Sequence, residues 1–194
     1  FVKGSKKEIS SLDSFSKNSS KLPLLFEPGS DFNYGISTDI LGRIIEVVSN
    51  KDLASFLKDE IFIPLEMENT SFNLDNEIQN LLTVYENLND QFVPYSRLNI
   101  SPIANYPLGG AGLFSTISDY SNFCIMLQNK GLFKNKRIIS KNSIELMTQN
   151  HLKYLDGENA KKIARRLKID LIEDFIDRTY PMDGFGLGFY INES

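Results

Sequence analysis

Phe32-Asn33-Tyr34-Gly35-Ile36-Ser37-Thr38-Asp39-Ile40-Leu41-Gly42-Arg43-Ile44-Ile45-Glu46-Val47-Val48-Ser49 is the stretch on which the fold reading turns. Ser37 and Thr38 are residues of the kind that cap a helix start. Ile40, Leu41, Ile44, Ile45 and Val48 follow at i, i+1, i+4, i+5 and i+8, an apolar stripe of helical period. Asn50 is a fitting stop. Upstream, Leu22-Pro23-Leu24-Leu25-Phe26-Glu27-Pro28-Gly29-Ser30 reads as an extended segment closed by a Pro-Gly turn, because proline pushes its predecessor out of the helical region and glycine accepts positive φ.

Downstream, Asp52 caps a short helix with Leu53, Phe56, Leu57 and Ile61 inward, ending before Pro64. From Phe72 to Tyr106 the apolar pattern weakens to groups such as Leu81-Leu82 and Phe92-Val93, which reads as loop with short strands. Gly109-Gly110-Ala111-Gly112 forms a permissive turn. A helix follows with Ile117, Tyr120, Phe123, Cys124 and Leu127 on its inner face, opened by a Thr116/Asp119 capping box and stopped by Gly131. Ser140 caps another helix with Ile144 and Met147 inward, and a charged helix is expected over 159–176. Phe185-Gly186-Leu187-Gly188-Phe189-Tyr190-Ile191 alternates large residues with glycine and reads as one strand, its glycine face against another backbone. A single strand makes no sheet, so its partners must come from 72–106 or from flanking sequence.

At 194 residues the chain is one domain or a piece of a larger one. It is 41% hydrophobic and 24% charged, which suits a globular protein with a real core. A net charge of −4 offers no basic field for nucleic acid, and no apolar run has the roughly 20 residues of a membrane-spanning helix. One cysteine and one histidine exclude an intrachain disulfide and the common structural zinc patterns, so no metal site is expected.

Residue type alone offers few chemical candidates. His151 has no nucleophile or carboxylate at useful spacing and reads as a surface residue. Cys124, on the predicted inner face of its helix, reads as a buried inert thiol. The 109–112 glycines lack the Lys-Ser/Thr of a phosphate loop and are turn chemistry. Asp39, Glu46 and Asp119 read as caps and solvated charges. Ser14-Phe15-Ser16-Lys17 satisfies S-x-x-K, but in a Ser/Lys-rich stretch the match is accidental, and Asn18-Ser19-Ser20 breaks the helix such a motif opens.

The order of blocks carries more. The 22–30 and 32–49 segments, then Ile61-Phe62-Ile63-Pro64-Leu65-Glu66-Met67-Glu68-Asn69-Thr70-Ser71-Phe72, resemble the class C β-lactamase-related serine hydrolases. The later blocks are similar to that family's second half, in the same order: Gly109 to Thr116 with Asp119, Arg137 to Ser140, Glu145 to Leu152, and Phe185 to Phe189. The Tyr34 block resembles the family VIII carboxylesterase branch. The lactamases carry Tyr-x-Asn, and here the third position is Ile36, which offers no side-chain amide. Glu66 stands where the family usually has glycine.

The resemblance implies an α/β (α+β) fold of β-lactamase/transpeptidase type, a helical subdomain with part of an antiparallel sheet, residues 1–194 forming a partial domain. It implies Tyr34 as the catalytic tyrosine, working with a Ser-Lys pair on a small-molecule acyl substrate without cofactor. A free tyrosine has pKa about 10, so proton exchange near neutrality asks for nearby cationic charge or a proton shared with lysine. The family's S-x-x-K lies well upstream of its tyrosine, and its third motif follows a strand like 185–191. Neither is found in this sequence, so the chain is expected to be an interior piece that is inactive alone. An esterase leads, a β-lactamase or D-alanyl-D-alanine peptidase is the alternative enzyme, and a non-catalytic binding protein is the alternative class. Compartment and oligomeric state stay open.

Overall fold

A computed structural model describes residues 9–73, 81–94, 106–155 and 184–191. The helix expected over 159–176 and the residues linking Phe92-Val93 to Tyr106 lie outside them. The chain divides into two compact units, Phe1–Leu22 with Ile36–Asn122, and Pro23–Gly35 with Phe123–Ser194.

The first unit is built on three helices. α1 (Leu12–Ser19) starts at Ser11, whose side chain accepts from the Ser14 N–H in a capping box. α2 (Ser37–Ser49) ends at Asn50, which takes the left-handed conformation at φ 55° and so stops the helix as expected. α3 (Leu53–Leu57) is capped by Asp52, whose carboxylate accepts from the Ser55 N–H at 2.9 Å. It continues into a π-helical turn, Lys58–Phe62, closed by the Ile63 N–H donating to the Lys58 carbonyl.

Two details of α2 depart from the sequence reading. Its first residue is preceded by Ile36, and no side chain caps it. The apolar stripe is only in part the packed face: Ile40 and Ile45 are half-buried, while Leu41, Ile44 and Val48 are exposed, Val48 to 80%. The buried position is Gly42, where a Cβ would sit 3.0 Å from Leu53 Cδ2, 3.2 Å from Leu12 Cδ1 and 3.3 Å from Gly109 Cα. Close approach of two leucine side chains and the Gly109 backbone at a glycine decides which face turns inward, and polar neighbours complete it. Arg43 reaches Asp13 of α1 at 2.8 Å and Glu46 at 3.1 Å, and Glu46 accepts from the Leu53 N–H.

Leu12, Leu53 and Leu65 are fully buried in this unit, each contributing about 2 kcal/mol of apolar burial. Asp52 gives a pH-dependent term. Hydrogen bonds from Ser55 hold its carboxyl below the ordinary 3.8. The cap's contribution is therefore full above pH 3.8 and is lost as pH falls through the lower folded value. Asp52→Ala should cost about 1 kcal/mol near pH 6, and the difference from wild type should shrink toward pH 2.5 in urea unfolding.

β1 (Tyr85–Leu88) and β2 (Gln91–Pro94) pair antiparallel with Leu88 opposite Gln91. Asn89 and Asp90 both have positive φ, 51° and 62°, as a two-residue hairpin turn of the primed type requires. These are short strands of the kind the sequence suggested. Ser71 and Phe114 exchange backbone hydrogen bonds, tying the two blocks together.

α4 (Ile117–Gln128) buries only part of the expected face: Phe123 and Leu127 are half-buried beside the buried Met126. Ile117 is 83% exposed, and Tyr120 and Cys124 are exposed as well, so Cys124 is not a buried thiol. Asp119, expected in solvent, is only 4% exposed. Its N–H donates to Thr116 Oγ1 as in a capping box, but its Oδ2 accepts from the Asn69 N–H at 2.7 Å and from Thr70 Oγ1 at 2.8 Å. Asn122 Nδ2 donates to the Leu65 carbonyl. Satisfied backbone and hydroxyl donors thus outweigh burial of Ile117. Asp119→Ala leaves two donors without that acceptor and should lower stability by about 2 kcal/mol, read by denaturant unfolding.

In the second unit Gly131, at φ 87°, ends α4 and leads into β3 (Leu132–Phe133), paired with β4 (Lys136–Arg137). Ser140 caps α5 (Lys141–Met147) by accepting from the Ser143 N–H, with Ile144 buried. The 185–191 segment is not one strand. β5 (Gly184–Phe185) turns back through Gly188, at φ 86°, onto β6 (Tyr190–Ile191), so it supplies its own partner. The expectation of a glycine face against another backbone holds at Gly186, where a Cβ would lie 2.2 Å from the Met147 carbonyl oxygen, and fails at Gly188, which has nothing within 4 Å; Gly184 instead meets the Asn150 side chain.

Candidate active site

Tyr34 stands at the end of the extended 23–35 segment in the second unit. The segment is shaped by a turn in which the Ser30 N–H donates to the Glu27 carbonyl, with Gly29 at φ 83°. Asn33 Nδ2 donates to the Tyr34 carbonyl at 3.0 Å. Tyr34 is 58% exposed as a residue, and its ring meets the Phe185 ring edge-on, with centroids 6.4 Å apart at 85°.

Phe185 is the hub of an aromatic cluster. Phe32 lies 5.2 Å from it, tilted at 45°, and Tyr190 lies 5.4 Å from it, edge-on at 75°. Edge-to-face rings at these separations attract through their quadrupoles as well as by burial. The cluster rests on a fixed backbone: the His151 N–H donates to the Phe185 carbonyl, Gly186 N–H to Phe189, and Leu187 N–H to Met147. Burial and the neighbouring Tyr34 charge push the Tyr190 phenol above its ordinary value. Tyr190 therefore keeps its proton through neutral pH, and the stability this represents is lost only as pH rises past 10 through the raised folded value.

The other candidates have structural roles. His151 Nε2 donates to the Leu146 carbonyl at 2.8 Å and closes the end of α5. Gly110 N–H donates to Asp39 Oδ1, and a Cβ on Gly109 would meet the Thr38 carbonyl, so this glycine turn seats against α2 rather than cradling a phosphate. Burial, with the Asp39 carboxylate adding to it, pushes the Tyr106 phenol up. Ser14 Oγ accepts from the Ser11 N–H and donates to the Ser11 carbonyl, while Lys17 Nζ sits 2.7 Å from Asp13. Serine and lysine are thus engaged with other partners. Glu66, in the position where glycine is usual, has φ 58°, as a turn residue there must.

A cavity of about 520 Å³ lies in the first unit, bordered by Ala54, Lys58, Phe62, Met67, Thr70 and Phe72, and no residue of the Tyr34 cluster lines it. Among the described residues no group of acidic, histidine and cysteine side chains could hold a metal ion, and no helix is long and apolar enough to cross a membrane. Sequence reasoning singled out Tyr34 but missed Phe32 and Tyr190, because nothing in local spacing shows that residues some 150 positions apart share one ring cluster.

A family model described as Beta-lactamase matches residues 4–169. Protein Rv1367c of Mycobacterium tuberculosis is 28% identical over 134 residues, 68% of this chain and 33% of the relative. The chain spans about a third of the length of the curated relatives it matches. Among solved structures, EstCE1, described as a hydrolase with promiscuous acyltransferase activity, is 24% identical with TM-score 0.68 over 93% of this chain and 46% of its own. Simvastatin synthase (LovD) from Aspergillus terreus is 20% identical with TM-score 0.68 over 91% and 45%.

Proposed function

The chain belongs to the Beta-lactamase family and has a β-lactamase/transpeptidase-like fold of helices and small antiparallel sheets, and on that premise we propose that the protein is a serine hydrolase of esters, with Tyr34 in its site. The observation that carries this reading is Tyr34 itself. By the order of the blocks it resembles the family's tyrosine, and its ring meets Phe185 edge-on in the aromatic cluster while the residue stays 58% exposed. Ile36 two positions on, in place of an amide, favours ester over lactam. EstCE1's description as a hydrolase agrees in kind.

On this reading the nucleophile is a serine paired with a lysine other than Ser14 and Lys17, whose hydrogen bonds lie within α1 and its cap. The lysine and Tyr34 take the serine proton as its oxygen bonds to the substrate's carbonyl carbon. The tetrahedral oxyanion then collapses, the carbon–oxygen bond to the alcohol breaks, and the Tyr34 phenol returns the proton to the departing alkoxide. Water repeats the sequence on the acyl-enzyme and releases the acid. No step calls on a metal or organic cofactor. Turnover of a p-nitrophenyl ester and of a chromogenic cephalosporin by full-length protein tests the choice. Ester turnover ahead by about a hundredfold or more in kcat/KM is expected, and faster cephalosporin hydrolysis would reverse it.

A further inference from the structure

The cavity of about 520 Å³ in the first unit takes no part in the proposed chemistry. It is bordered by α3 with its π-helical turn and by residues of the 66–72 segment, all within one compact unit. Two uncommon backbone features meet there. Lys58 and Phe62 bound the π turn, and Glu66 takes φ 58°, a conformation that costs a non-glycine residue about 1–2 kcal/mol. Such departures gather where a site has to be shaped. The two sides are tied by the Met67 N–H donating to the Phe62 carbonyl at 2.8 Å, so the cavity stands preformed. Phe62 and Met67 are buried and Phe72 is half-buried, which gives it an apolar wall.

The polar border decides what it holds. The Thr70 and Ser71 hydroxyls are already engaged, donating to Asp119 and to the Asn73 carbonyl. Lys58 and Glu68 are exposed, and neither side chain has an ion-pair or hydrogen-bond partner among the described residues. Nearby Lys51, by contrast, pairs with Asp59 and Glu60. Packing apolar protein over an unpaired lysine and an unpaired glutamate is strongly unfavourable, so this opening suits solvent and small polar-ended solutes, unlike the exposed stripe of α2. A cation from the π turn, an anion from the 66–72 segment and an apolar wall complement a molecule with a carboxylate, an ammonium and apolar side chains between them. We propose that the cavity binds a short apolar peptide, its carboxylate on Lys58 and its ammonium on Glu68. A round cavity of this volume is roughly 10 Å across, and a dipeptide spans roughly 7 Å. The site is independent of the role given to Tyr34.

Ligand-observed NMR titration of full-length protein with leucylphenylalanine, its N-acetyl form and its C-terminal amide is the test. The free dipeptide should bind, and each blocked form should bind about fivefold more weakly. Lys58→Met keeps an apolar stem and removes the charge, so it should bind the free dipeptide and the amide alike while still discriminating against the acetyl form. Glu68→Gln should show the converse. Both residues are exposed, so both variants should keep the wild-type fold. No binding of the free dipeptide to wild type, including the case in which another part of the protein fills the cavity, overturns the proposal. So does discrimination that both variants retain, or a variant that weakens all three ligands equally.

Discussion

Tyr34→Phe in full-length protein should cut ester turnover by about 10²–10⁴ while leaving the unfolding midpoint within about 0.5 kcal/mol of wild type. The substitution removes one oxygen. The ring contact with Phe185 at 6.4 Å survives, because phenylalanine presents the same edge. The Tyr34 side chain is 58% exposed, so no buried donor is stranded by losing the hydroxyl. The loss should fall in kcat rather than KM, as expected for a group needed in the transition state and not for binding. Near-normal turnover would take Tyr34 out of the mechanism.

Gly109→Ala should be the most destabilising substitution in the first unit, at about 4 kcal/mol by urea unfolding. A Cβ there would sit 2.0 Å from the Thr38 carbonyl oxygen, 2.8 Å from its carbon and 3.1 Å from Asp39 Cα. Every obstacle is backbone, so no rotamer change relieves the overlap. The first turn of α2 would have to move off the glycine turn, breaking the Gly110 to Asp39 hydrogen bond with it. Gly29→Ala is the control. Gly29 has φ 83° but nothing within 4 Å of its would-be Cβ, so only the left-handed backbone cost of about 1 kcal/mol remains. Equal effects at the two positions would show that the first turn of α2 yields to the added methyl and that the close approach does not fix Gly109.

What the sequence disclosed follows from which interactions are local. Asp52 and Ser140 each cap the N–H three residues on, Asn50 and Gly131 stop helices by positive φ, and all four are legible because cause and effect lie within one turn. Faces are another matter. α2 and α4 carry apolar residues on more than one side, so period alone does not choose. The choice is made by Gly42 meeting Leu12, Leu53 and Gly109, and by Asp119 meeting Asn69 and Thr70, partners up to 67 residues away. The 184–191 hairpin hides behind its alternation of large residues with glycine, which suits a single strand, whereas Gly188 turns the chain.

The site divides in the same way. Tyr34 is unremarkable as a residue type, and its assignment comes from the order of blocks from Leu22 to Phe189. The rings that seat it are joined only by the tertiary fold. Ser14 shows the converse: a motif match legible in four residues, which the structure gives to a helix cap, with its lysine on Asp13.

Covalent labelling by a fluorophosphonate, mapped by peptide mass spectrometry, tests the central claim most directly. The account predicts that full-length protein carries the label on one serine outside these 194 residues, that labelling slows by at least tenfold in Tyr34→Phe, and that Ser14 stays unmodified. Label on Ser14, or labelling at an unchanged rate in Tyr34→Phe, would contradict it.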